Sequence, residues 1–172
     1  MKCILAAASA ILAIVTASPA AAALAVGNPA PDFSAPGAQA GTITTVHLAE
    51  LLKKGPVVIY FFPSAFTDPA ESHDFAAEID KFRAAGASVI GMSRDSVDTL
   101  ARFSLQECAG KYPVASASES IVNAFDVNDG AMFNTRTTYV IAPSGKIAFV
   151  HDDDDSSGHA SSALAFVEAM TK

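Results

Sequence analysis

Six consecutive apolar residues, 57–62 (VVIYFF), constrain this chain more than any other stretch. A half-buried strand alternates apolar and polar side chains. This run does not, so it is expected at the centre of a sheet, covered on both faces by helices. Pro63 ends it, and Asp68, Pro69 and Glu71 then make a helix start. Asp68 suits the cap, Pro69 the first helical position and Glu71 the third, from which it can reach back to the cap. Phe75, Ile79 and Phe82 share one helical face until Gly86 stops the helix. A second apolar strand follows at 88–92, and strand, helix, strand in this order predicts parallel pairing through a right-handed crossover.

Another helix begins near Ser96 or Asp98 and reaches Cys108, with Gly110 placed to end it. At about 100° per residue, Val97, Leu100, Ala101, Leu105 and Cys108 fall on one face, which turns Cys108 inward. A strand at 113–117 and a helix at 118–125 lead to a hairpin of strands 137–142 and 146–151, turned by Pro143, Ser144 and Gly145. An acidic loop, 152–155, precedes a last helix at 161–170, which starts among serines able to cap it. Ahead of the central strand, Pro29, Pro31 and Pro36 mark 27–41 as an extended loop. The order of elements predicts an α/β, thioredoxin-like fold: a central mixed β-sheet flanked by helices.

The first residues have the layout of an export signal: Lys2, an apolar run over 3–15, then small residues, Pro19 and several alanines. Residues 1–23 are read as a signal peptide cleaved after Ala22, Ala23 or Ala25, leaving one domain over about 24–172. The stretch 4–26 is long enough to span a bilayer, but it is alanine-rich, broken by Pro19 and flanked by no basic cluster. The expected protein is therefore exported, periplasmic or secreted, with no stable membrane association after cleavage. Without Lys2, 10 Lys and Arg face 18 Asp and Glu, a formal charge of −8 at neutral pH. Such a surface repels phosphate backbones, so nucleic acid is not an expected partner. Cys3 leaves with the signal and Cys108 remains as the sole cysteine, unable to form an internal disulfide. It is either buried and inert or meant for exchange with another molecule.

Four stretches carry a resemblance that fold order alone does not: VGNPAPDFSAP, VVIYFFPSAFT, ASVIGMSRDSVDTLARF and TRTTYVIAPSGKIAFVH. Together they resemble a peroxiredoxin of the bacterioferritin-comigratory, or Q-type, class, from about Val26 to the end, and FSLQECAGKYPVAS is similar to one branch of that class. The resemblance implies thiol-dependent reduction of hydrogen peroxide and organic hydroperoxides. A thiolate attacks a peroxide oxygen, the O–O bond breaks, water or an alcohol leaves and the sulfur becomes a sulfenic acid. A resolving thiol then displaces water to form a disulfide, which a thioredoxin-type reductant opens. No cofactor or metal is implied.

The family places its peroxidatic cysteine in the pattern PxxxTxxC. Pro63 and Thr67 match, but an ungapped reading puts Ala70 at the sulfur position, and a reading with a two-residue deletion in the loop puts Asp68 there. Neither supplies a nucleophilic sulfur. The resemblance gives the remaining site roles to Pro63 as a shield, Thr67 as a hydrogen-bond partner of the peroxide and Arg136 as the thiolate-activating arginine. Cys108 matches a resolving cysteine, here with no sulfenic acid to resolve. Taken without the resemblance, the same residues are a strand terminator, a loop threonine, a surface arginine and a buried thiol.

Two weaker signals complete the reading. His151, the aspartates of 152–155 and His159 include metal-ligand types, but no defined spacing, and are read as a solvated loop. His73, one turn into the helix after Pro69, has no evident partner and is read as structural. The absence of a WCxxC motif, and of any Trp, excludes a vicinal-dithiol reductase. Two functions stay open: a peroxidase using a hydroperoxide and a thioredoxin-type reductant, or a degenerate member that serves as an exported binding or interaction protein.

Overall fold

The computed structural model describes residues 23–172; the expected signal peptide lies, but for Ala23, outside the described residues. The chain forms β1 (Ser34–Gln39), β2 (Thr42–His47), α1 (Leu48–Leu52), β3 (Val57–Phe61), α2 (Ala70–Ala84), β4 (Ser88–Ser93), α3 (Val97–Gln106) and β5 (Val114–Ser116). It continues through α4 (Glu119–Ala124), β6 (Asn128–Asp129), β7 (Phe133–Asn134), β8 (Thr137–Ile141), β9 (Ile147–Asp152) and α5 (His159–Met170). Seven strands make one mixed sheet in the order β2-β1-β5-β4-β3-β8-β9, and β6 with β7 forms a separate short ribbon. The fold is the expected thioredoxin-like one. Among the described residues no helix is long and apolar enough to cross a membrane.

The unbroken apolar run explains why β3 is interior. Val58, Tyr60 and Phe62 project to the face covered by α2, α3 and α5, while Val57, Ile59 and Phe61 project to the face covered by α1 and α4. β3 pairs in parallel with β4 and antiparallel with β8. Tyr60 stacks on Phe75 at 4.3 Å between ring centroids, and its hydroxyl meets Ser72 Oγ at 2.9 Å and the Tyr112 hydroxyl at 2.8 Å. Gly91 makes room for that ring: a Cβ there would stand 2.6 Å from the Tyr60 hydroxyl oxygen.

The structure corrects several local expectations. The segment 27–41 is not all loop, because its second half is β1, paired along its whole length with β2. Ala40 and Gly41 join them, both at positive φ, as a two-residue hairpin turn needs. The helix after Pro69 is not closed by the expected capping box. Its N-cap is Pro69, Asp68 Oδ1 only accepts a 3.3 Å bond from the Ala70 N–H, and Glu71 turns into the core. A guanidinium there offers the carboxylate a stronger partner than a backbone amide. α3 ends at Gln106, before Cys108, and buries Leu100, Phe103 and Ser104, whereas Leu105 is 57% exposed. Cys108 is buried because the chain folds back through Ala109 and Gly110, both at positive φ. α5 starts two residues early, at His159, behind Gly158 at φ +86° with no side-chain cap.

Candidate functional site

β3 delivers the chain to the top of the sheet, where the backbone of 62–65 is tied to β4 and its continuation. The Phe62 N–H donates to the Met92 carbonyl at 3.0 Å, and the Ala65 N–H donates to Asp95 Oδ2 at 2.7 Å. The Ser93 hydroxyl donates to the same Asp95 oxygen at 2.8 Å. Phe66 is held at φ +65°, its ring edge-on to Phe103 with centroids 5.2 Å apart. Pro63 is half-buried, and Thr67 and Ala70 are exposed. Among the described residues the Thr67 hydroxyl makes no hydrogen bond, and no ion pair or hydrogen bond joins it to Arg136.

Arg136 enters just before β8 and is 6% exposed. Its Nε donates to the Asp154 carbonyl at 3.1 Å, one terminal nitrogen donates to Glu71 Oε2 at 2.8 Å, and the other reaches Asp68 Oδ2 at 3.2 Å. Of the two residues offered for the sulfur position, Asp68 therefore faces the guanidinium. Its side chain remains 48% exposed, so it forms the outer wall of the site, whereas Glu71 forms the inner one. Behind Glu71, His159 Nδ1 lies 3.4 Å from Glu71 Oε1 and 2.9 Å from the Thr138 hydroxyl. Burial pushes Glu71 up to about 8, against the pull of Arg136, and burial also lowers His159.

Cys108 belongs elsewhere. Its thiol sits in the core cluster with Tyr60 and Tyr112, and burial pushes it up to about 12. No hydrogen bond among the described residues links it to Arg136 or Asp68. His73 has a partner after all: its Nε2 is 2.7 Å from Glu107 Oε2 at the surface, which pins α2 to the end of α3. In the acidic loop, Thr137 donates to Asp152, the Asp155 N–H to Asp153 and the Ser157 N–H to Asp155, so the carboxylates stabilise their own turn. Among the described residues no group of three His, Cys, Asp or Glu side chains is arranged to hold a metal ion.

The AhpC/TSA family model matches residues 26–150. The chain belongs to this family. Among peroxiredoxins of the Bcp class, the chain is 31% identical over 125 residues to Peroxiredoxin Bcp of Xanthomonas campestris, covering 67% of this chain and 78% of the relative. Its structure is similar to Peroxidoxin BcpB from Mycobacterium tuberculosis, with TM-score 0.75 and 31% identity, covering 84% of this chain and 97% of that one. It is also similar to Peroxiredoxin Q of Xanthomonas campestris, with TM-score 0.70 and 29% identity, over 80% and 91% of the two chains.

In this peroxiredoxin the residues around Arg136 that sequence reasoning missed are Glu71, as a buried ion-pair partner, together with Thr138 and His159 behind it. A signal for Glu71 was present: it falls in line with Phe75, Ile79 and Phe82 on the apolar face of α2, where a carboxyl has to be paired. His159 is likewise in line with the buried Ala163 and Val167 of α5. The arrangement has a cation and a helix start suited to an anion, but the atom it holds is a carboxylate oxygen.

Proposed function

We propose that this peroxiredoxin has lost the family's peroxidase chemistry and serves as an exported binding or interaction protein on the retained fold. The observation that carries the reading is the 3.2 Å contact of Asp68 Oδ2 with Arg136, where the resemblance calls for a thiolate. A carboxylate can take the charge of that sulfur but has no sulfenic state to cycle through. Cys108 supports the same reading, since burial keeps it a thiol and denies it access to a hydroperoxide. The charge of −8 for the exported chain favours partners that are not anionic.

The test is peroxide consumption with thioredoxin or dithiothreitol as reductant, using hydrogen peroxide and an organic hydroperoxide. The expected result is no turnover beyond that of the free reductant, with Cys108→Ser unchanged and Asp68→Cys gaining activity. Turnover in the parent chain that disappears in Cys108→Ser overturns the proposal and restores the family reaction, with Cys108 as its nucleophile.

A further inference from the structure

Behind the Asp68–Arg136 contact lies a cluster whose hydrogen-bond inventory does not close. Glu71 is 1% exposed, and its Oε1 has no hydrogen-bond partner. His159, fully buried, has Nε2 3.1 Å from the Asp153 carbonyl oxygen. A carbonyl only accepts, so Nε2 carries the hydrogen, and Nδ1 of the neutral ring is an acceptor. Thr138 has one hydroxyl hydrogen to give, to Nδ1 at 2.9 Å or to the Glu71 carboxylate, and it cannot serve both. Oε1 and Nδ1 thus face each other at 3.4 Å as two acceptors in the protein interior. An ionised carboxyl in that position lacks a donor, which is costly, and one additional proton supplies it.

We propose that Glu71 and His159 share one proton beyond the Nε2 hydrogen in the folded protein at neutral pH, resident on Glu71, and that this proton sets how firmly Arg136 holds Asp68. Charged groups face the pair from several elements, and burial outweighs them in placing the proton. Arg136 and Asp68 face Glu71 from the approach to β8 and from the loop before α2. His151 of β9 packs edge-on against His159 at 4.4 Å between ring centroids, and Asp153 and Asp155 lie on the same loop. Asp152 is engaged by Thr137. Burial, the largest influence on both groups, raises Glu71 and lowers His159; Asp68 adds to the first shift and His151 and Arg136 to the second, against Arg136 and Thr138, which pull Glu71 down, and Asp153, which pulls His159 up. With the proton present, Asp68 is the ionised partner of Arg136. Once the proton leaves, Glu71 becomes a second anion on the same guanidinium, and the half-exposed Asp68 is the one free to swing out.

The site is read out by proton linkage, whether or not peroxide is turned over. Glu71 is raised from 4.5 to about 8, so its stabilising contribution is complete below 4.5 and lost as pH rises through 8. His159 is lowered from 6.5 and acts in the opposite sense only below that value, which leaves the window from 6.5 to 8 to Glu71. Urea unfolding of the parent is expected to show an unfolding constant that rises about tenfold per pH unit across this window and then levels. Glu71→Gln carries an amide donor in the proton's place and is expected to lack that rise, the exposed histidines being common to both proteins. Parallel profiles overturn the proposal. If Glu71→Gln does not fold, the Glu71 carboxyl carbon resonance of the parent decides: titration near 8 supports the site, and titration near the ordinary value of 4.5 rejects it. Asp68→Asn removes the competing anion from Arg136 and is expected to lower the Glu71 midpoint. An unchanged midpoint rejects the coupling to Asp68.

Discussion

Asp68 divides its carboxylate between two partners, Arg136 through one oxygen and the Ala70 N–H through the other. Arg136 keeps Glu71 and the Asp154 carbonyl when Asp68 is removed, and solvent screens the exposed pair. Asp68→Ala is therefore expected to lower stability by only about 1 kcal/mol, read as a lower urea midpoint. An unchanged midpoint would deny the pair any structural weight. Cys108 gives a second residue-level expectation: slow reaction with a thiol reagent in the native protein and fast reaction after denaturation, because burial opposes the thiolate. The outward half of this site was only partly legible in the sequence: the resemblance offered Arg136, but the fixed PxxxTxxC spacing pointed to Ala70, and Asp68 came only from the reading with a two-residue deletion. The inward half was not legible. Glu71 also satisfies the spacing of a capping box, and only the three-dimensional approach of Arg136 decides which partner it takes.

At the level of elements, the helices with serine caps were the best anticipated. Ser96 accepts from the Thr99 N–H and Ser118 from the Ile121 N–H, one at the start of each of α3 and α4. Ser96→Ala is expected to cost about 1 kcal/mol, measurable by thermal or urea unfolding, and no loss would make that bond incidental. α5 defeated the same rule. Its serines at 161 and 162 lie inside the helix, and the chain enters through Gly158 at a left-handed angle that a side chain would strain. The β1–β2 hairpin was hidden for two reasons. Pro36 argues against a strand that turns out to be interior, and Ala40-Gly41 lacks the Asn-Gly or Asp-Gly signature of its turn type. The β6–β7 ribbon is only two residues per strand, too short for any periodicity, and Arg94 holds it by donating to Asn128, the Ala131 carbonyl and Asn134.

For the whole molecule, the sheet separates two apolar cores of similar character, each relying on β3. Ile59→Ala on one side and Phe75→Ala on the other are expected to destabilise the protein by about 2–5 kcal/mol each, compared by urea denaturation. A small effect on either side would show that its face is dispensable. The central strand has one neighbour close in sequence, β4, and one far away, β8, whose Thr138 pairs with Tyr60. That topology orders events in time. β3, α2 and β4 can assemble from local contacts, whereas β8 must close a long loop before it docks. Arg136 immediately precedes that late strand, 68 residues from the Asp68 it meets. Until β8 arrives, Glu71 on α2 lacks the Arg136 partner it has in the folded protein, so the pocket is expected to be among the final parts of the chain to become native.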